Sequence, residues 1–447
     1  MKQTKGSQPK LWLGRLKKSL WVIPVLALLI KLFISTQIQG NAWLGADGEN
    51  YLQGLEFLTR DGFLSKETIL HYWPSGYPLL MWLVGAANYQ FTLPIVVVAQ
   101  STLYAFSTAF FGQKLSETSL RRYALPTVVL LTVSPTITLN TLAIGYELIS
   151  ASIFLIALAL FIGLSQQEVK KIWNWRILVI GAIFSINNFV QPRFILSSIV
   201  FFLILAFYLF KAKFLPIVII LGIALSLLLP SIMVIRNSLA NDFSAISTNL
   251  GITMRIGAGE GATGGYVPGF TGVDCPNTEG NAAEVDRSLI QCTVDWYLDN
   301  PSETVRLAIA KTVKFWSPWF GPLASGSMGR NPWLQIHPFY DISRDSQAGY
   351  EFFYGPIGKV FSWLWMVLYL LVFGYGAFKL WRHSPLGQRL SVTILALVSV
   401  NWLISLGTLG DHRQRLPILS MIIFLQLVGI TNLKGLTQKK RAKTKRR

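Results

Sequence analysis

Three acidic side chains stand beside long apolar runs of the sequence. Asp47 and Glu49 follow the first run in ADGENYLQGL (46–55), and Glu147 begins another run in LAIGYELIS (142–150). A carboxylate in such surroundings can serve catalysis, so Asp47 and Glu147 are the candidate catalytic residues. A structural interpretation stays open for both. Asp47 at an N-cap would stabilise a helix by about 1 kcal/mol, and the helix dipole favours an acid at the start of a helix.

Positive and titratable side chains occupy comparable positions. Arg193 lies in NNFVQPRFIL (187–196). The turn GTLGDHRQRLPIL (407–419) holds four such residues, Asp411, His412, Arg413 and Arg415. A planar guanidinium group can donate two parallel hydrogen bonds to two oxygens of one phosphate. These cations are therefore candidate ligands of a phosphate, and the alternative is snorkelling to the membrane interface or pairing with Asp411.

The segment HYWPSGYPLL (71–80) adds His71 and Tyr77. His71 could give a hydrogen bond or a positive charge to an anionic ligand, or it could be a surface histidine with no role. Tyr77 and its aromatic neighbours also suit the water–lipid boundary, where tyrosine and tryptophan are common. Asp47 would begin an interfacial helix here, because DGENYLQGLEFL places Tyr51, Leu52, Leu55 and Leu58 on one apolar face.

The composition indicates which structural elements hold these side chains. The chain has 447 residues, of which 52% are hydrophobic and only 14% are charged. Apolar runs of spanning length recur, and each must be helical because lipid offers no partner to a bare peptide group. We therefore predict an all-α polytopic membrane protein with about ten transmembrane helices. The ten predicted runs are 18–37, 91–112, 122–139, 147–164, 177–192, 194–210, 214–234, 357–379, 390–407 and 416–433.

Charge patterning predicts the orientation of these helices. Most Lys and Arg residues, but only the acids Glu117 and Glu168, fall in segments that lie on one side if the amino terminus is cytoplasmic. The positive-inside rule then places both termini in the cytoplasm of a plasma (inner) membrane and the candidate site outside. The basic tail is expected to meet anionic lipid rather than nucleic acid.

This topology divides the chain into four parts. Residues 1–234 form an N-terminal transmembrane module whose first outer loop, 38–90, carries Asp47. The short apolar stretch in that loop, 76–88, is expected to be interfacial or re-entrant. A small extracytoplasmic soluble insertion, C-terminal transmembrane helices and a basic cytoplasmic tail follow, at 235–356, 357–433 and 434–447.

The insertion holds both cysteines and a glycine-rich motif. Cys275 and Cys292 could form a disulfide in an oxidising compartment, or they could be two free thiols. GEGATG (259–264) matches the dinucleotide fingerprint, but breakers follow it instead of a helix, so we reject that function. A loop with its backbone close to a polar ligand and a simple flexible turn both remain open. No metal-type Cys/His spacing occurs.

Four segments, in this order and with this topology, resemble the C-type superfamily of integral-membrane glycosyltransferases that use polyprenyl-phosphate sugars. That superfamily includes the bacterial aminoarabinose transferase and the protein mannosyltransferases. The similar segments are ADGENYLQGLEFLTRDGF with HYWPSGYPLL, then IRNSLANDFSAISTNLGITMRIGAGEGATGGY, WYLDNPSETVRLAIAKTVKFWSPW and LGDHRQRLPIL. Together they span most of the chain.

The resemblance implies an enzyme of cell-envelope glycan biosynthesis that transfers a sugar from a polyprenyl-phosphate donor to a lipid or glycan acceptor. It assigns Asp47 as the general base and Glu147 as a second acid, with inversion at the anomeric carbon. The expected substrate-binding residues are Glu49, His71, Tyr77, Arg193, His412, Arg413 and Arg415. The lysine that binds the donor phosphate in some relatives has no counterpart here. No cofactor is assigned, although a divalent cation could take part, and Asp47 with Glu49 is too small a set for a cation site.

Other function classes share several of these features. A lipid-linked sugar flippase would also have many spans and interior charges, although the sequence lacks the internal repeat that is typical of alternating access. A polysaccharide polymerase or ligase would use pyrophosphate-linked donors at a basic outer loop. A structural membrane subunit is the third alternative.

Overall fold

The computed structural model describes residues 8–37, 47–85, 89–140, 143–166, 175–209, 215–267, 269–318 and 346–444, and within these ranges it contains helices and no strands. The helices, in chain order, are α1 Gln8–Gln37, α2 Gly48–Asp61, α3 Ile69–Tyr72, α4 Gly76–Leu83, α5 Tyr89–Ser116, α6 Ala124–Val133, α7 Pro135–Asn140, α8 Glu147–Ser165, α9 Trp175–Val190, α10 Ile195–Leu209, α11 Leu215–Ser226, α12 Leu228–Asn241, α13 Leu250–Ile256, α14 Ala282–Asp299, α15 Pro301–Trp316, α16 Gln347–Tyr354, α17 Pro356–Trp381, α18 Pro385–Gly407 and α19 Leu416–Thr444. Three short 3-10 helices lie at Arg121–Tyr123, Pro192–Phe194 and His412–Arg415.

The helices fit an all-α membrane protein, but the predicted count of ten spans is wrong for the described residues. Six helices, in α5, α8, α10, α17, α18 and α19, are long and apolar enough to cross a bilayer. The pair α11 and α12, bent by 46°, makes seven if it counts as one span. The predicted outer boundary at residue 235 also falls inside α12, which continues to Asn241.

Three predicted runs account for the difference. The run 122–139 is interrupted at Ser134 because the residue before a proline disfavours the helical conformation. The run 177–192 folds as α9, whose 16 residues are about 24 Å long and fall short of the bilayer core. The run 18–37 lies in α1, where side chains are described only for residues 18–33.

Helix α17 packs closely against α19. The turn that carries Arg413 leads directly into α19, so this packing fixes the position of the turn. Gly376 of α17 faces the backbone of α19, and a Cβ at this position would overlap the carbonyl oxygen of Leu425. Small residues allow this kind of backbone approach between membrane helices.

We expect Gly376→Ala to lower the free energy of unfolding by about 1–3 kcal/mol, as overpacked cores do. Gly374 lies two residues away in the same helix, and a Cβ there would meet no atom within 4 Å. Gly374→Ala is therefore the matched control and is expected to be neutral or slightly stabilising. Thermal unfolding in detergent compares the two variants, and equal midpoints would contradict the predicted overlap.

Residues 47–85, which belong to the predicted first outer loop, contain three short helices, α2, α3 and α4. In α2 the predicted apolar face is confirmed, since Tyr51, Leu55 and Leu58 are buried. Arg236 of α12 holds the loop that follows α2. Its guanidinium donates to the carbonyl oxygens of Phe63 (3.0 Å), Leu70 (3.3 Å) and Ser65.

The insertion contains two consecutive helices, α14 and α15, and a disulfide joins Cys275 to Cys292 with their Cα atoms 6.0 Å apart. Lys311 of α15 is fully buried, and its Nζ donates to Tyr297 Oη at 2.8 Å and to the carbonyl oxygen of Leu406 at 2.9 Å. This single side chain therefore connects α14, α15 and the end of α18.

The burial of Lys311 predicts that the stability of the protein depends on pH. Burial lowers its pKa from 10.5 to about 7. Between these values the unfolded chain binds a proton that the folded chain lacks, so the free energy of unfolding contributed by this group rises with pH and is lowest below about 7. Lys311→Met removes the titration. We expect the unfolding midpoint of the wild type to rise relative to that of Lys311→Met from pH 7 to pH 10, and parallel curves would contradict it.

Candidate functional site

Two predicted acids and one predicted arginine meet in an ion-pair cluster. Arg413 Nη1 lies 2.8 Å from Asp47 Oδ2, and Arg413 Nε donates to Glu147 Oε1. The three side chains are largely buried, with exposed fractions of 13% for Arg413 and 9% for each acid. The cluster thus joins three segments that are far apart in the sequence.

Local backbone structure positions each member of the cluster. Asp47 occupies the N-cap position of α2, but its side chain makes no capping hydrogen bond, so the predicted capping role is not the one that its carboxylate fills. Glu147 is the first residue of α8, as predicted. Arg413 lies in the 3-10 helix His412–Arg415, where the Asp411 carboxylate accepts a hydrogen bond from the Arg413 backbone N–H at 2.8 Å.

The cluster borders a cleft of about 640 Å³. The charged residues of its wall are Asp47, Arg193, Asp411 and Arg413. Its aromatic residues include Tyr72, Trp73, Tyr266 and Phe270, and aliphatic residues of α13 and the end of α18 also line it. A cleft of this size holds a small ligand and combines apolar surface with a few placed polar groups.

Tyr146 stands between the two arginines of the cleft. The guanidinium carbon of Arg193 lies 5.2 Å from the centre of its ring, and that of Arg413 lies 5.7 Å away. Burial raises the pKa of the Tyr146 hydroxyl above its ordinary value, although the neighbouring Arg193 opposes this effect. Tyr146 is therefore a neutral ring that stacks against two cations.

Arg193 has hydrogen-bonding capacity that the described residues do not use. Its guanidinium also lies 4.9 Å from the ring centre of Phe194, so two aromatic rings hold it. Its Nε and Nη2 atoms are buried and have no hydrogen-bond partner within the described part of the chain. An unpaired buried donor costs about 1–3 kcal/mol, and more where it is charged. Such a group is suited to an anionic ligand in the cleft.

A buried network that the sequence did not reveal fixes the turn before Glu147. Tyr77 Oη donates to Gln100 Oε1 at 2.8 Å and accepts from the Gly145 N–H at 3.0 Å, while Gln100 Nε2 donates to the Ala143 carbonyl oxygen at 2.9 Å. A Cβ on Gly145 would overlap the Glu147 carboxylate. Tyr77, predicted to bind substrate, thus acts on the site through the backbone of this turn.

We expect Tyr77→Phe to lower the free energy of unfolding by about 1–3 kcal/mol, because it removes the acceptor of the buried Gly145 N–H and the hydrogen bond that Tyr77 donates to Gln100. Tyr375→Phe is the matched control, since the Tyr375 hydroxyl is buried without a hydrogen-bond partner among the described residues. Thermal unfolding of both variants tests this difference. A Tyr77→Phe midpoint equal to that of Tyr375→Phe would mean that the network contributes nothing measurable.

Four other predicted binding residues lie away from the cleft wall. His71 is buried with Nδ1 3.2 Å from Thr248 Oγ1, and burial, with the charge of Arg236, lowers its pKa below the ordinary value. Arg415 donates to the carbonyl oxygens of Phe315 and Ser317, each at 2.7 Å. His412 is buried in the same 3-10 helix, and Glu49 is exposed on α2.

The turn that follows the glycine-rich segment forms part of the cleft wall. The turn after GEGATG contributes Tyr266, Val267 and Phe270, and no helix begins there, which agrees with rejecting a dinucleotide site. The Gly264 carbonyl oxygen accepts a hydrogen bond from the Gly410 N–H at 2.8 Å, so this loop packs on the turn that carries Arg413.

No group of three or more His, Cys, Asp or Glu side chains suited to a metal ion occurs in the described ranges. Comparison with protein-family models, with curated proteins and with solved structures finds no match to this chain.

Proposed function

We propose that the protein is an integral-membrane glycosyltransferase that moves a sugar from a polyprenyl-phosphate-linked donor to a lipid or glycan acceptor. One observation carries the proposal. The two acids and the arginine that the resemblance marks as functional, Asp47, Glu147 and Arg413, come from distant segments and meet beside one cleft. The same cleft contains Arg193, whose Nε and Nη2 atoms have no hydrogen-bond partner among the described residues.

Each residue has a chemical task in this proposal. Asp47 lines the cleft and accepts the proton of the acceptor hydroxyl as that oxygen forms a bond to the anomeric carbon of the sugar. The bond between this carbon and the phosphate oxygen breaks, and its electron pair leaves with the phosphate. Positive charge in the cleft stabilises the departing phosphate. Attack from the face opposite the leaving group inverts the anomeric centre.

Glu147 takes the role of a positioning residue. It holds Arg413 from the side opposite Asp47, and it lies at the start of α8, where the helix dipole favours its charge. Arg413 in turn orients the Asp47 carboxylate toward the cleft. Glu147 therefore acts on the reaction through Arg413 and not by contact with the sugar.

The membrane setting follows from the same proposal. The donor approaches from the outer leaflet with its prenyl chain in lipid, and both termini of the protein are cytoplasmic, as the distribution of Lys and Arg predicts. The aromatic residues of the wall suit the apolar faces of sugar rings.

The test is a transfer assay with the purified full chain in lipid nanodiscs. Polyprenyl monophosphate and pyrophosphate donors that carry hexoses or pentoses are supplied with envelope lipid and glycan acceptors, and products are identified by mass spectrometry. We expect glycosylated acceptor and free polyprenyl phosphate from a monophosphate donor. Product from pyrophosphate donors alone would support a polymerase or ligase. Movement of intact donor across proteoliposomes without a covalent product would support a flippase.

A further inference from the structure

Several cations were candidates for the phosphate of the donor, and the geometry separates them. Arg413 is committed to Asp47 and Glu147. Arg415 is fully buried and donates to two backbone carbonyl groups, with the rings of Trp316 and Tyr369 beside it. His71 contacts Thr248 and does not line the cleft. Recruiting any of these groups would require an existing contact to break.

Recruiting Arg193 breaks no hydrogen bond of its Nε or Nη2 atoms within the described part of the chain, and it requires only that the guanidinium turn these buried nitrogens toward the cleft. Arg193 lines the cleft, and two of its guanidinium nitrogens are buried without a partner among the described residues. The rings of Tyr146 and Phe194 restrict the plane of the guanidinium. A fork that is already held in place loses little conformational entropy when it binds two oxygens of one anion.

The charges around Arg193 limit the charge of that anion. Asp47 and Glu147 share the single cation Arg413, so this cluster carries one net negative charge, and Arg193 balances it. Asp411, the other acid of the wall, has Lys314 as a cationic neighbour. Among the described residues this set is therefore neutral before a ligand binds. A phosphodiester adds only one negative charge beside the two carboxylates, whereas a pyrophosphate or inorganic phosphate adds more, so a phosphodiester is the least unfavourable of these anions.

We infer that Arg193 is the phosphate-binding residue of the cleft and that it selects a singly charged phosphodiester attached to an apolar chain. This inference rests on the proposed function for the identity of the ligand, but binding can be measured without any transfer. A prenyl phosphodiester and the headgroup of an anionic phospholipid share this chemistry, so the experiment must separate them.

The experiment measures binding to the full chain in phosphatidylcholine nanodiscs by native mass spectrometry. The probes are farnesyl methyl phosphate, farnesyl pyrophosphate, inorganic phosphate and phosphatidylglycerol. We expect wild type to bind the farnesyl phosphodiester at least tenfold more tightly than the pyrophosphate or inorganic phosphate. Arg193→Gln should weaken this binding at least tenfold. Arg193→Lys, which keeps the charge and loses the fork, should give an intermediate affinity and covers the case in which Arg193→Gln fails to fold.

The matched control is Arg176→Gln, because Arg176 also stacks on a neighbouring ring, that of Trp175, and does not line the cleft. Its affinity should equal that of wild type. Three results would overturn the inference. Arg193→Gln or Arg193→Lys could bind the farnesyl phosphodiester with the affinity of wild type, wild type could bind the pyrophosphate more tightly than the phosphodiester, or wild type could bind none of the probes. Displacement by phosphatidylglycerol would support the phosphodiester site but assign it to phospholipid.

The outcomes also separate this inference from the proposed function. Loss of phosphodiester binding in Arg193→Gln, with no transfer by wild type under any condition, would keep the binding site and remove the enzyme. Sugar transfer by wild type that is accompanied by unchanged phosphodiester binding in Arg193→Gln would keep the enzyme and remove this role of Arg193.

Discussion

Asp47→Asn is expected to lower the rate of sugar transfer by about 10²–10⁴-fold, the usual contribution of a positioned general base. Asparagine keeps the shape of the side chain and can still accept a hydrogen bond from Arg413, but it cannot take the proton of the acceptor hydroxyl. Arg413 keeps its contact with Glu147, so the cleft should retain its donor affinity. The expected change is therefore in kcat with little change in KM.

The control for this variant is Glu56→Gln, which removes an exposed acid from the same helix, α2, outside the cleft wall. Its transfer rate should match that of wild type. Single-turnover measurements with saturating donor compare the three proteins. If Asp47→Asn transfers sugar at the wild-type rate, Asp47 does not act as the base, and the mechanism must place proton acceptance elsewhere.

The meeting of Asp47 with Glu147 follows from features that a sequence displays. Both acids stand at helix starts next to apolar runs, and the distribution of Lys and Arg predicts that both lie on the same side of the membrane. The apolar face of α2 is local information as well, since Tyr51, Leu55 and Leu58 recur at helical spacing. Periodicity and helix starts are the strongest signals that a single sequence carries.

The choice among the arginines does not follow from sequence. Arg413 and Arg415 are two residues apart, yet Arg413 binds acids at the starts of α2 and α8 while Arg415 binds carbonyl groups at the end of α15. In a 3-10 helix, positions two apart point about 240° from each other, so neighbouring arginines serve different regions. Only the tertiary packing of this turn decides which one enters the cleft.

Buried polar residues within apolar runs were the signal that sequence reasoning passed over. Gln100 in α5 and Arg236 in α12 are almost fully buried, and each fixes backbone near the cleft. Polar side chains in such segments are costly and usually have named partners. The sequence shows that these polar residues are present. It does not show their partners, which are the turn before Glu147 and the loop after α2.

Arg413→Gln is expected to lower the free energy of unfolding by about 3 kcal/mol, because it leaves Asp47 and Glu147 largely buried without a cation. The cost arises from the orphaned charges and not from the loss of a favourable pair. The triple variant Arg413→Gln, Asp47→Asn, Glu147→Gln should therefore be more stable than Arg413→Gln alone. Such recovery is a direct sign of coupling among the three side chains.

Arg60→Gln provides the matched control, since Arg60 also contacts two acids, Asp61 and Glu67, but is 56% exposed. Solvent screens such pairs, so this change should cost far less than Arg413→Gln. Denaturant unfolding in detergent measures all three variants against wild type. Equal losses for Arg413→Gln and Arg60→Gln, or a triple variant less stable than Arg413→Gln, would mean that the acids find water or another cation. Arg413 would then not be what holds Asp47 in place at the cleft.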